Sequence, residues 1–369
     1  MIGATSTVEM INDRKKDYCE GKPLVSIVVP AYNEAGVLRE NLNKLYEYMK
    51  SLQKDYRWEI IVVNDGSTDG TGDIAEAFAR TRDNIRVIHH VTNFRLGQAL
   101  RTGFNHCQGD YVVTMDLDLS YSPDHIERML STIRQTGAQI VMASPYMPGG
   151  RTSNVPLLRR LLSKWANRFL AAAAHHGNFS TLTSMVRAYD ANFLKSLNLK
   201  AMDVDINPEI IYKGMILRAR ILEIPAHLDW SDQKKEGKER SSSIRILKTI
   251  VSYLLSGFIF RPFMFFILPG VALMLLSLYP FFWVFYHTYN ELQKIPPSVG
   301  FFGIPLSGAI AGAFRLSPHS FVVGGITLML AIQLFSLGFL ALQNKRYFEE
   351  FFHLGSTIYK FNKENRVNS

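Results

Sequence analysis

Between Phe258 and Gln343 the only charged residues are Arg261, Glu291, Lys294 and Arg315, whereas the chain before this stretch carries charge throughout. Pro262 to Asn290 and Leu316 to Asn344 contain no Asp, Glu, Lys or Arg at all. At ~1.5 Å rise per residue, each stretch is long enough as a helix to cross a hydrocarbon core of ~30 Å. This predicts a soluble part joined to a membrane part. The expected division of the 369 residues is a polar leader (1–22), a soluble α/β domain (23–230), a basic juxtamembrane segment with an amphipathic helix (231–257), a transmembrane region (258–344, spans about 262–288 and 318–343) and an interfacial tail (345–369). The apolar, Pro- and Gly-rich stretch 295–313 reads as a re-entrant loop or a third span.

Lysines and arginines precede the first span, and Lys345-Arg346 follow the second, while only Lys294 and Arg315 lie between them. The positive-inside rule therefore places both ends in the cytoplasm, as a multi-pass hairpin. The first 22 residues lack the apolar core of a signal peptide, in keeping with a cytoplasmic soluble domain. The membrane is the plasma membrane for a bacterial or archaeal chain and the endoplasmic reticulum for a eukaryotic one. A net charge of +9 calls for an anionic partner, and beside membrane spans that partner is lipid or phosphate rather than nucleic acid. Cys19 and Cys107 have no metal-ligand spacing and offer no disulfide framework.

The soluble part alternates short apolar runs with amphipathic ones. Leu24–Val29, Glu59–Val63, Ile85–His89, Asp110–Asp116 and Gln139–Ala143 read as strands. Helices are predicted over 35–52, from Thr71 onward, over 97–106 and over 126–135. This order gives a mostly parallel sheet with right-handed crossovers, and such sheets bind ligands beyond the carboxyl ends of their strands. Pro30, Asp65 and Asp116 all fall there. A dinucleotide-binding domain would need Gly-x-Gly-x-x-Gly after the first strand. The sequence instead is Pro30-Ala31-Tyr32-Asn33-Glu34, so a phosphate here is not cradled by glycines. Asp116 and Asp118 are two apart and share one side of an extended chain. Taken alone, Asp-x-Asp reads as a solvated turn. At the end of a buried strand it supplies hard oxygen ligands for Mg²⁺ or Mn²⁺ and, through the metal, a hold on a diphosphate.

Val28–Glu34, Val63–Asp69 and Met115–Asp118, in this order and placement, resemble the inverting family 2 glycosyltransferases of GT-A fold over residues 23 to 255. Ser163–Arg168 and the C-terminal pair of apolar spans bring the chain nearest to the polyprenyl-phosphate glycosyltransferases, including the dolichyl-phosphate mannose synthases. The resemblance implies a GT-A domain followed by an interfacial helix and a transmembrane hairpin. It implies that Pro30, Tyr32, Glu34, Val63, Asp65, Asp116 and Leu117 bind the nucleotide, and that Asp116 and Asp118, with Ser120, hold Mg²⁺ or Mn²⁺. The partners implied are a nucleotide-diphosphate sugar and a polyprenyl phosphate lipid, with homo-oligomerisation left open. Three positions depart from the family pattern: Ser120 stands where Gln is frequent, Pro145 where Arg is frequent, and Arg95 where Gly is common.

A phosphate acceptor is ionised at neutral pH and needs cations to position it rather than a base. Arg240 is the first candidate for that contact, Arg187 the second, and Arg151 could stand in for the arginine replaced by Pro145. The other reading of the 234–245 charge run is a solvated loop against anionic headgroups. Transfer to a lipid hydroxyl is the alternative reaction; it would require a carboxylate base, for which Glu209 is the candidate. A non-catalytic nucleotide-sugar-binding membrane protein is the third reading. His175-His176 has no partner at ligand spacing and reads as surface.

Overall fold

A computed structural model of the protein describes residues 21–156, 160–161, 163–164, 167–168, 179–231, 262–294 and 304–367. Arg240, the rest of the basic segment, the expected amphipathic helix, His175-His176 and residues 295–303 lie outside the described residues. The chain divides into two compact units, Met1–Ser256 with His353–Ser369, and Gly257–Phe352.

The first unit is built on a seven-stranded sheet. Its strands are β1 (Leu24–Ala31), β2 (Arg57–Asn64), β3 (Ile85–His89), β4 (Tyr111–Thr114), β5 (Ile140–Ser144), β7 (Arg187–Asp190) and β8 (Ile221–Pro225). A separate parallel pair joins β6 (Arg151–Ser153) to β9 (His227–Asp229). The order across the main sheet is β3-β2-β1-β4-β7-β5-β8. All neighbours are parallel except β7, which runs antiparallel to both β4 and β5. The mostly parallel sheet is as expected; the antiparallel insertion was not announced by the alternation of strands and helices.

Both faces of the central strands are covered, which explains their unbroken apolar sequences. Val25, Ile27, Val28 and Val29 of β1 and Ile60 to Val63 of β2 are wholly buried. On one side lies α1 (Ala35–Ser51), whose Leu38, Leu42, Leu45 and Met49 recur at helical spacing and point into the core. With it pack α2 (Thr71–Ala79) and α4 (Asp124–Thr136), which contributes Ile126, Met129, Leu130 and Ile133. The opposite face carries α3 (Arg95–His106), whose Gly103 lets the helix approach so closely that a Cβ there would lie 2.4 Å from Val28 Cγ1. Two further helices, α5 (Ala191–Ser196) and α6 (Ile206–Ile216), follow β7.

A polar network closes the amino-terminal edge of the sheet. Glu59 accepts hydrogen bonds from Ser26 Oγ at 2.5 Å and from the Gln108 amide at 2.8 Å, and it pairs with Arg86 at 2.6 Å. Ser26 Oγ in turn accepts from Gly109 N. The polar chemistry at this end is thus internally satisfied, which leaves the other end of the strands for ligands.

In the second unit α7 (Pro262–Leu292) and the start of α9 (Pro318–Val367) are the two helices long and apolar enough to span a membrane among the described residues. Leu275, Tyr279, Phe282 and Phe285 of α7 are each at least 60% exposed, as side chains facing lipid would be. Gly338 of α9 meets Ile267, where a Cβ would come within 2.4 Å of Cδ1, so the two helices touch closely. Between them, α8 (Ile304–Leu316) has 13 residues, about 20 Å of helix, which is short of a crossing. The aromatics Tyr347, Phe348, Phe351 and Phe352 of the expected interfacial tail lie on the continuation of α9.

Candidate active site

The loops after β1, β2 and β4 meet in one cleft of about 490 Å³. The first two loops are knitted together. Asn33, in the left-handed region at φ 55°, accepts from Thr68 N through Oδ1 and donates its amide to Ser67 Oγ. Asp69 Oδ2 accepts from Ala35 N, and Asp65 N donates to Ala31 O. Gly66, at φ 67°, allows the β2 loop to press on the next one, where a Cβ would lie 2.3 Å from the Thr92 carbonyl carbon. This mutual bracing presents Pro30, Tyr32, Glu34 and Asp65 on the cleft wall. Tyr32 is 44% exposed, an open aromatic face on the cleft wall.

Asp65 is buried and oriented from behind. Its Oδ1 accepts from Phe94 N at 2.9 Å and lies 2.7 Å from His90 Nδ1, while His90 Nε2 lies 2.9 Å from Thr102 Oγ1.

The carboxylate pair sits differently from the expectation. β4 ends at Thr114, not Asp116, and its last sheet contact is Met115 N to Val28 O. Asp116 to Leu119 form a turn, closed by Leu119 N to Asp116 O, with Leu119 at φ 48°. Ser120 N caps Asp118 Oδ1 at 2.9 Å. The two carboxylates therefore come from a turn rather than one face of a strand, yet both line the cleft. Burial, reinforced by the negative charges of Asp118 and Glu34, holds the Asp116 carboxyl well above the usual carboxylate range. A site in which neighbouring carboxylates disfavour the ionised form of Asp116 fits a divalent cation, which would remove that repulsion. The residues placed to hold such an ion are Asp116 and Asp118; no group of three His, Cys, Asp or Glu residues at ligand spacing occurs among the described residues. That matches Mg²⁺ or Mn²⁺ coordination completed by water and substrate phosphates.

Ser120 lines not this cleft but an adjoining cavity of about 220 Å³, shared with Asp118, Ser122, His227, Asp229 and Ser231. Val63 is wholly buried under Gly103, with its Cγ2 on the helix side, and its side chain is not on the cleft wall. Arg187 does not face the acceptor side, contrary to the expectation. It is fully buried in β7 and donates to the carbonyls of Leu182 and Asn207 at 2.8 Å each, so it cannot reach an acceptor in solvent or membrane. Arg151 is exposed on β6 and lines neither cavity. Glu209 is occupied: it accepts from the amides of Lys200 and Ala201 and pairs with Lys213 at 2.6 Å.

Sequence reasoning missed His90, Asn93 and Asp203. Asp203 lines the cleft on the 200–205 loop, which docks on α3 through Gln98 N to Met202 O and through Gly97, where a Cβ would lie 2.6 Å from Ala201 O. Arg95 crosses to it, Nη1 to Oδ2 at 2.8 Å. Arg95 lies at φ 73°, which explains why glycine is common there. A left-handed backbone costs a residue with a side chain roughly 1–2 kcal/mol, and an ion pair this exposed offsets only about 0.2–1 kcal/mol.

A mostly parallel sheet with a carboxylate-lined cleft at its carboxyl rim is the arrangement expected of a GT-A domain. The chain belongs to glycosyl transferase family 2, whose description matches residues 26–196. Over 207 residues it is 30% identical to the undecaprenyl-phosphate mannosyltransferase of Micrococcus luteus, a match covering 54% of this chain and 82% of that protein. Over 204 residues it is 29% identical to the dolichol-phosphate mannosyltransferase of Pyrococcus furiosus, covering 54% of this chain and 55% of that one. In structure it is similar to glucosyl-3-phosphoglycerate synthase of Mycobacterium tuberculosis, crystallised with Mn²⁺, uridine diphosphate and phosphoglyceric acid. That likeness has a TM-score of 0.48 and 20% identity, over 64% of this chain and 78% of the other.

Proposed function

We propose that this glycosyltransferase moves a hexose from a UDP- or GDP-linked sugar to a polyprenyl phosphate, with inversion, at the cytoplasmic face of a membrane. The observation that carries the reading is the single cleft that gathers Pro30, Tyr32, Glu34, Asp65, Asp116, Leu117 and Asp118. The names of the bacterial and archaeal relatives support the lipid-phosphate acceptor. The apolar helices α7 and α9 support a membrane location, where such an acceptor keeps its phosphate at headgroup level. The catalytic domain is taken as residues 23–230, with 231–257 as the basic approach to the membrane.

Pro30, Tyr32, Glu34 and Asp65 hold the nucleoside, with Asp65 kept in one orientation by His90 and Phe94 N. Asp116 and Asp118 would hold Mg²⁺ or Mn²⁺, which when bound neutralises charge on the departing nucleoside diphosphate. The acceptor phosphate attacks the anomeric carbon directly; the new C–O bond forms as the bond to the nucleoside diphosphate breaks. No proton has to be removed, since the phosphate is already ionised. This agrees with the state of the available carboxylates. Glu209 is consumed in loop bonds. Hydrogen bonds from Asn154 and Ser231 hold the Asp229 carboxyl below its ordinary range, which makes it a weak base. Arg240 and Arg151 remain the proposed acceptor-phosphate contacts.

The test is transfer of labelled sugar from a panel of UDP- and GDP-sugars to undecaprenyl or dolichyl phosphate by the purified protein in detergent, with Mn²⁺ or EDTA, beside Asp118→Ala. A mild-acid-labile lipid product that needs metal and Asp118 is expected. Nucleotide-sugar binding with no glycosylated lipid phosphate under any condition would overturn the acceptor assignment.

A further inference from the structure

We propose that Arg95 is a donor-recognition residue whose guanidinium takes the diphosphate of the nucleotide bound in the cleft; this rests on the donor site proposed above. Among the described residues the cleft lining carries five carboxylates, Glu34, Asp65, Asp116, Asp118 and Asp203, and one cation, Arg95. Its ligand is anionic, so one fixed positive group on the wall has a function that the fold itself does not supply. Fold stability does not account for the residue. Arg95 occupies a backbone conformation that suits glycine, and its exposed ion pair with Asp203 is too weak to compensate. A strained residue kept at a ligand cleft points to the ligand.

The surroundings orient the guanidinium. Asn93 Oδ1 accepts from Arg95 N at 3.0 Å and sets the turn. Asp203 is held in place from its own side, with its amide on Asp205 Oδ1 and its Oδ1 accepting from Val204 N, so Oδ2 is left to Arg95. Gly97 and Glu209 fix the loop that carries Asp203. The pair thus bridges the cleft mouth from α3 to the 200–205 loop, with the remaining guanidinium donors available to phosphate oxygens in the fork geometry that arginine favours.

The test uses the full chain in detergent, titrated with UDP, GDP, uridine and guanosine, each in Mn²⁺ and in EDTA, with Arg95→Gly and Arg95→Lys variants. Arg95→Gly should weaken binding of the preferred nucleoside diphosphate about tenfold or more, in EDTA as well as in Mn²⁺, and leave the nucleoside unchanged. Its melting temperature should stay level or rise, since glycine accepts the backbone angle. Arg95→Lys should recover part of the affinity. The inference fails if Arg95→Gly binds the diphosphate as the parent does. It fails equally if nucleoside and diphosphate lose affinity together, or if Arg95→Lys is no better than Arg95→Gly while melting falls, because Arg95 is then structural. If the parent protein binds neither UDP nor GDP, the donor site itself is wrong, a different failure.

Discussion

His90 Nδ1 lies 2.7 Å from Asp65 Oδ1, so this carboxylate on the cleft wall is aimed by a histidine one strand away. His90→Ala removes that restraint and leaves Phe94 N as the remaining named donor to Oδ1. The donor KM should rise about tenfold, the usual effect of losing one hydrogen bond to a charged group, with kcat little changed. Asp65→Ala should cost more. Steady-state kinetics on both variants checks the order, and a kcat loss larger than the KM effect would place His90 in the chemistry instead.

Metal binding should be linked to protons at Asp116. In the metal-free fold its carboxyl is held above the ordinary range, so that fold favours the protonated form. A divalent cation requires the carboxylate and releases the proton. Apparent Mn²⁺ affinity therefore rises with pH until the raised pKa is passed and then levels off, and calorimetry in buffers of different ionisation enthalpy should report proton release. The stability sign is opposite to that of an ordinary paired aspartate: ionising Asp116 costs the metal-free fold stability as pH rises. Asp116→Asn should thus melt higher than the parent in EDTA at pH 8, with the gap closing in acid. In activity it should fall at least about a hundredfold.

Glu209→Gln separates two chemistries. A general base contributes about 10²–10⁴-fold, so transfer to a hydroxyl acceptor through Glu209 would collapse in this variant. Its bonds to Lys200 N, Ala201 N and Lys213 are instead those of a loop anchor. The expected result is a kcat within about tenfold of the parent and a raised donor KM, from loosening of the loop that carries Asp203.

Glu59 joins β1, β2, β3 and the turn before β4 far from the cleft. Glu59→Ala takes the shared acceptor from Ser26 and Gln108 N and leaves Arg86 the His106 carbonyl, and should destabilise the protein by about 2 kcal/mol. A lower melting temperature with unchanged donor KM at low temperature is expected; a selective change in KM would show that this edge communicates with the site.

What the sequence disclosed was the set of groups that follow a buried apolar run. Asp65 and Asp116 were legible because Ile60–Val63 and Val112–Met115 can only be buried strands, and the rim position follows. β7 was hidden because four residues that begin with Arg187 and end with Asp190 do not read as a central strand. That arginine is tolerated inside because carbonyls from two other segments meet it. His90 and Asp203 were illegible for a related reason: their partners lie 25 and 108 residues away, and no local period encodes such a meeting. Arg95 was noticed only as an unusual residue; its cost became visible with its backbone angle.

The antiparallel β7 also sets an order of events at the ribosome. β4 and β5 are not neighbours until β7 fills the gap between them, and everything from Pro145 to Val186 must be made first. Synthesis at about 5–20 residues per second therefore leaves the nascent domain, for a time on the order of seconds, with two unpaired central edges. Such edges invite pairing with other chains. The turn bearing Asp116 and Asp118 hangs from one of them, so the rim of the cleft gains its full support only when the late strand arrives, and before that moment the chain depends on whatever shields its open sheet.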